Sequence, residues 1–307
     1  LESAKIIQTC QGYENIAIFA VRFMATLLRH TIPYYYFTGL FIIGLTLLWK
    51  PSHAQSMKKM VEILASDSLN GRGAATIYEK KAAVHIAKWM KDCCFTSIRQ
   101  SFPCLKDTAT NLIYIYNPLK RDSLILLTAH YDHLSPGSKK SKEILRRDQI
   151  HNGADDNASG VSVLIHISRQ MKKLNRQYGY IILFYSGHEE GLYGSAYFGK
   201  SKLMDSLKIA RSVNLDMVGR LNPETRRVSV YSFRWKVNET FKKTALKIYP
   251  YENMMGDGDV VINRNIPFLQ LTTGIHEDYH RADDDANKIN YKGMRRVSKI
   301  LVNFLTH

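Results

Sequence analysis

Ser123 to Ala129 is an almost unbroken apolar run with no polar alternation. A strand of that kind has to be covered on both faces, which excludes a solvent-facing hairpin and calls for a sheet with helices on either side. Tyr180–Tyr185, Ser212–Val218, Arg227–Ser232 and Pro267–Thr272 read as further strands, and Asn111–Tyr116 precedes them. Helical patterns lie between and around them. Met57, Met60, Val61 and Leu64 recur at helical spacing, Asn70-Gly71-Arg72-Gly73 breaks the pattern, and a second helix covers Glu79 to Met90. A helix starting near Ser159 carries Val161, Leu164, Ile165 and Met171 on one face. Helices are also expected over Trp235–Ile248 and Lys292–Phe304. The alternation predicts an α/β fold, with a central sheet packed by helices on both faces. The polar loop from His133 to Asn152, rich in Lys, Arg, Ser and Gly, is expected to be exposed and mobile.

The first 54 residues differ from the rest. Ile32 to Trp49 is nearly continuous apolar sequence, a single charge (Arg29) lies between Met24 and that run, and Ser52-His53-Ala54 supplies small residues before Gln55. This is the layout of a secretory signal peptide; left uncleaved, a run of that length would serve as a membrane anchor. Residues 1–54 are therefore read as leader plus signal peptide or anchor, and residues 55–307 as one catalytic domain of an exported, periplasmic or secreted protein. The formal charge is +16, two units of it in residues 1–54. The basic residues are scattered in pairs such as Lys139-Lys140 and Arg146-Arg147, without a long basic block interleaved with aromatics, so nucleic acid is not an expected partner. Cys104 is close enough in composition to an exported disulfide pattern to pair with Cys93 or Cys94, and three free thiols are the alternative.

Chemistry-bearing residues cluster just after the strands, where open α/β sheets place their sites. His130 and Asp132 share one side of an extended segment, so the carboxylate can orient the imidazole. Asp155 and Asp156 sit where a helix begins; capping explains one acid, not two flanked by glycines. The strand Tyr180–Tyr185 runs on into Glu189-Glu190, and two like charges there call for a compensating cation. Asp216 follows apolar residues and needs a partner. His276 and His280 bracket Glu277 and Asp278 before the acidic run Asp283-Asp284-Asp285, and either histidine suits a metal. Together these segments predict metal-assisted hydrolysis, with one glutamate as ligand and the other as base.

In this order the segments resemble the di-zinc aminopeptidase family that includes bacterial leucyl aminopeptidase and, more distantly, glutamate carboxypeptidase. The family pattern runs H-x-D, G-A-x-D-x-x-S-G, E-E-x-G-L-x-G-S, an Asp on a strand, then D-Y-H. It is read here in His130–Asp132, Gly153–Gly160, Glu189–Ser195, Asp216 and Asp278-Tyr279-His280, over most of the chain after Asn70. The resemblance implies a zinc-exopeptidase-like α/β/α sandwich with a mixed, mostly parallel sheet. It implies two Zn²⁺ ions held by His130, Asp156, Glu190, Asp216 and His280. Asp156 is the bridging carboxylate, Glu189 the general base and Asp132 the carboxylate that orients His130. Two departures stand out: Gly256-Asp257-Gly258-Asp259 replaces the frequent Ser-Asp-His, and Arg281-Ala282 replaces Thr-Pro or Arg-Pro after the last ligand.

The implied reaction is hydrolysis of the N-terminal bond of peptides with a free amine. The competing readings are a single-zinc glutaminyl cyclase, a carboxypeptidase and a non-catalytic relative. A membrane is a partner only if the apolar N-terminal segment is not cleaved.

Overall fold

The computed structural model describes residues 53–91, 95–116, 123–171, 174, 177–237, 246–252 and 255–306. The apolar segment 32–49 and Cys93 and Cys94 lie outside the described residues, so the signal-peptide, anchor and disulfide expectations do too. No helix among the described residues is long and apolar enough to cross a membrane.

One eight-stranded sheet organises the chain, in the order β1-β2-β4-β3-β5-β8-β6-β7. Its strands are β1 (Thr96–Cys104), β2 (Asp107–Tyr116), β3 (Leu124–His130), β4 (Gly179–Tyr185), β5 (Ile209–Leu215), β6 (Val228–Phe233), β7 (Leu246–Pro250) and β8 (Phe268–Thr272). The centre, β4-β3-β5-β8, is parallel. The flanks turn antiparallel where β2 meets β4 and β6 meets β8. Every residue of β3 and of β4 is buried, as their unalternated apolar sequence requires.

Side chains leave those strands alternately to two cores. Ile125, Leu127 and Ala129 pack with the helices α1 (His53–Leu64), α2 (Ile77–Met90), α3 (Gly160–Ser168) and α7 (Tyr291–Thr306). Leu124 and Leu126 pack on the opposite face, with Phe198 of α4 (Tyr193–Gly199), Met204 of α5 (Lys202–Ser206) and Val261 of α6 (Asp259–Ile262). The expected α/β sandwich with a mixed sheet is the observed fold.

Two expectations need correction, and one strand lies outside them. Of the helix expected over Trp235–Ile248, residues 238–245 lie outside the described residues, and Leu246–Pro250 is strand β7, paired in parallel with β6; its β-branched and aromatic Ile248 and Tyr249 suit that role. Strand β1 is an edge strand rich in Thr, Ser, Arg and Gln, so its apolar signal is weak; it is held by a full antiparallel ladder to β2. The loop from His133 to Asn152 is tied down rather than free. Gly137 N–H donates to Arg147 O (2.9 Å), Lys142 N–H donates to His280 O (3.1 Å), and Leu134, Ser141 and His151 are buried.

Candidate metal centre

The carboxyl ends of β3, β4, β5 and β8 meet at one place, and each delivers a ligand-type side chain there. His130 is the last residue of β3, Asp216 follows β5 directly, and His280 stands in the loop after β8. Asp156 comes from the irregular turn Ala154–Ser159 that leads into α3. Gly153, at φ +56°, starts that turn; a Cβ there would lie 2.2 Å from Asp156 O and 2.5 Å from the His133 ring.

Asp156 divides the cluster in two. Its Oδ1 lies 3.2 Å from His130 Nε2, which is also 3.5 Å from Asp216 Oδ1. Its Oδ2 lies 3.3 Å from His280 Nε2, which is also 3.3 Å from Glu189 Oε2. It is thus Asp156, not Asp155, that lies between His130 and His280, and His280, not His276, that faces Asp156. Asp155 instead accepts from Gly219 N–H (2.5 Å) and faces His276 Nε2 at 3.3 Å, one layer below.

Glu189, not Glu190, carries the contacts. Among the described residues no hydrogen bond or ion pair joins the Glu190 carboxylate to the cluster, and Glu190 is only half-buried. The chain itself explains the register. Gly191-Leu192-Tyr193-Gly194-Ser195 matches G-L-x-G-S, so Glu190 stands at the spacer position, Glu189 at the second glutamate and His188 at the first. The reading of Glu189-Glu190 as that pair was one residue out of register. Gly187, at φ +71°, turns the chain after β4, so strand alternation cannot be extended to these residues.

His188 is the residue that sequence reasoning missed. Its ring lies on that of His130, centroids 3.9 Å apart and planes at 8°. Its Nδ1 is 2.9 Å from Asp257 Oδ2, which leaves Nε2 for other work. Asp257 comes from the segment that departs from Ser-Asp-His. His133 was missed as well: its Nδ1 is 3.4 Å from Glu189 Oε1. The spacing to G-L-x-G-S was the available signal for His188; nothing in the sequence joined it to Asp257.

Supporting groups fix these side chains. The Asp132 carboxylate accepts from the backbone N–H groups of His188 (3.2 Å) and Glu189 (3.1 Å). His130 Nδ1 faces the Asp132 backbone carbonyl at 3.2 Å and its carboxylate only at 3.8 Å. Asp132 therefore orients His130 through its main chain and pins the 188–189 turn through its side chain. His280 Nδ1 donates to Lys140 O at 3.1 Å, which presents Nε2 to the cluster. Asp284 Oδ2 accepts from Asp155 N–H (2.9 Å) and Asp156 N–H (3.0 Å). Beneath them the fully buried Arg72 donates to the carbonyls of Leu64, Tyr131, Asn152, Gly153 and Asp156.

Electrostatics follow from that crowding. Burial disfavours charge on His130, but Asp156 and Asp216 outweigh it and raise its pKa well above the usual range. The same contest, with Asp156 and Glu189 as partners, raises His280 to about 10. Burial also opposes ionisation of Glu189, yet His133 and His280 hold its pKa below the usual carboxylate range. Burial pushes Asp132 up to about 7.

His130 Nε2, both His133 ring nitrogens and Glu189 Oε1 are buried without a hydrogen-bond partner. Such atoms are costly unless something else satisfies them. His130, Asp156 and Glu189 form one convergent ligand group, and His130, His188 and Asp216 another. Imidazole and carboxylate donors suit zinc, and the residues present fit it.

Residues 111–305 match the model of peptidase family M28. The chain belongs to that family. Curated relatives include a probable zinc metalloprotease of Pyrenophora tritici-repentis, 30% identical over 31% of this chain and 18% of its own length. Aminopeptidase YwaD of Bacillus subtilis is 31% identical over 36% of this chain and 22% of its own length. The chain thus spans about a fifth of the curated relatives it matches. Among solved structures, a leucine aminopeptidase precursor from Bacteroides thetaiotaomicron covers 83% of this chain and 97% of its own, at 18% identity and a TM-score of 0.68. A glutaminyl cyclase from Fimbriiglobus ruber covers 84% and 96%, at 16% identity and a TM-score of 0.67. At these identities the likeness is one of fold.

Proposed function

We propose that this M28 protein is a zinc aminopeptidase that takes two metal ions and hydrolyses the N-terminal bond of peptides. The observation that carries this reading is Asp156, with one oxygen toward His130 and Asp216 and the other toward Glu189 and His280. A carboxylate so placed suits the bridge between two cations. His130 and Asp216 would hold one ion, and Glu189 and His280 the other. Glu189 takes the ligand role first expected of Glu190. Zinc, when bound, supplies an activated water and a Lewis acid for the scissile carbonyl.

The chain's own residues supply the rest. His188 stands where the family pattern puts the first glutamate, and Asp257 fixes its Nδ1. In this reading His188 Nε2 takes over the proton transfer first expected of Glu189, with Asp257 holding the ring in the right tautomer. Asp132 holds the backbone of His188 and Glu189 together, so base and ligand move as one piece. The carboxylates around the cluster suit a substrate ammonium, hence peptides with a free N-terminus. Export through the apolar segment belongs to the same proposal, as does the absence of a nucleic-acid partner.

The test is zinc content per chain measured alongside a panel of aminoacyl chromogenic substrates. Two zinc ions with turnover of free-amine substrates support the reading. One zinc and cyclisation of N-terminal glutamine would replace it with the cyclase. The loss of the first glutamate favours one second reading, a relative that keeps its metals without turnover. Metal-loaded protein inactive across the panel would select it.

A further inference from the structure

The tied loop after β3 does more than cover the metal centre. Lys140 and Lys142 flank His280: Lys140 O accepts from the His280 ring, and Lys142 N–H donates to the His280 carbonyl. The strap is clamped a little further on. Glu143 accepts from Ala282 N–H at 3.0 Å and pairs with Arg146, which also reaches Asp283. This fixes where the two lysine side chains emerge. The Lys140 ammonium donates to the Glu189 carbonyl, and Lys142 Nζ lies 4.1 Å from the centre of the Tyr279 ring. Glu189 and His280 are both ligand residues of the proposed centre, and Tyr279 adjoins the second.

Several other cations around this loop are already paired. Arg146 is held by Glu143 and Asp283, and Arg220 and Lys288 by Asp278. Lys140 and Lys142 have no carboxylate within ion-pair distance among the described residues, and both are exposed. Surface lysines are normally solvated and free to move. These two differ because the backbone that carries them is bonded to a ligand histidine, and each ammonium already has one contact that holds it at the mouth. An ammonium has three donors, and Lys140 uses one of them within the chain.

We propose that Lys140 and Lys142 form an anion subsite at the mouth of the metal centre that selects substrates carrying a carboxylate near the scissile bond. The inference rests on the aminopeptidase reading for its substrate class, though not for the existence of the subsite. Two sources present that chemistry: an acidic side chain, and the terminal carboxylate of a dipeptide. A cation pair beside a metal site steers and holds such a group, and the preference weakens as salt screens it.

The experiment compares matched peptides on zinc-loaded protein: Glu against Gln side chains, and dipeptide acids against dipeptide amides. The readouts are kcat/KM and, separately, binding by calorimetry at low and high salt. The expected result is a carboxylate preference of about tenfold, the size of one well-placed charge interaction. It should shrink toward unity in the Lys140→Gln, Lys142→Gln double variant and in high salt. The pair of substrates that shows the preference identifies the source. Equal handling of acid and amide by the unaltered protein overturns the proposal, and so does a preference that survives the double variant. Absence of turnover with a retained, lysine-dependent binding preference supports the subsite and sinks the aminopeptidase reading instead.

Discussion

His188 lies flat on His130, ring centroids 3.9 Å apart, with its Nδ1 held 2.9 Å from Asp257. An imidazole thus occupies the position at which the family pattern has a carboxylate. If it moves the proton, His188→Ala should retain zinc and lose on the order of 10²–10⁴-fold in kcat. Asp257→Asn should act in the same direction with a smaller loss, falling on kcat rather than KM. Parallel metal analysis separates this from loss of a ligand. Near-normal turnover by zinc-loaded His188→Ala would remove the assignment.

Glu189 and Glu190 should separate cleanly in metal content. Glu189→Gln removes an oxygen that faces His280 and is expected to weaken metal binding by more than the roughly 10–100-fold typical of lost supporting groups. Glu190→Gln should bind zinc as the unaltered protein does. Chelator titration of both variants decides it, and the reverse pattern would restore the original register.

Metal-free protein should lose stability as pH rises from about 4 to 7. Burial, then the neighbouring Asp155, raises the Asp284 carboxyl to about 7, and burial raises Asp132 to about 7. Their unfolded values are near 3.9. The folded state therefore binds more protons across that window, and its stability falls with pH, on the order of 1 kcal/mol per pH unit for each full proton. Urea melts of chelated protein at stepped pH measure the slope. Asp284→Asn should make it shallower, leaving the Asp132 share; an unchanged slope would show that Asp284 ionises normally.

Arg72 should be among the most sensitive positions for folding. It is fully buried and satisfies five backbone carbonyls with one guanidinium, while burial lowers its pKa to about 10. Arg72→Ala strands those acceptors and is expected to cost about 3–5 kcal/mol. Arg72→Lys should recover little, because a point charge cannot reproduce the planar fork. Denaturant midpoints test both; a Lys variant as stable as the parent would contradict the geometry.

The local sequence was enough for the parallel heart of the fold and for the segments from which the candidate ligands come. Strands β3 and β4 announce themselves because burial on both faces demands nearly unbroken apolar runs, whereas β5 and β8 interrupt theirs with Ser212, Asn214 and Gln270. His130 and Asp216 stand out because polar groups at strand ends need a partner, but the residues alone left Asp155 or Asp156, and His276 or His280, open, and only the family resemblance chose between them. The tertiary structure decided what regular periodicity does not reach. That Glu189 and not Glu190 faces the cluster was legible in the spacing to Gly191-Leu192-Tyr193-Gly194-Ser195, while strand alternation, broken at the left-handed Gly187, could not show it. Leu246–Pro250 became a strand because β6 offered it an edge, a contact that short-range propensity does not encode. His188 found Asp257, and His280 found Lys140, across spans of sequence that only folding closes. A residue's chemistry can be read along the chain, but its partner depends on which backbone groups packing brings within hydrogen-bond reach.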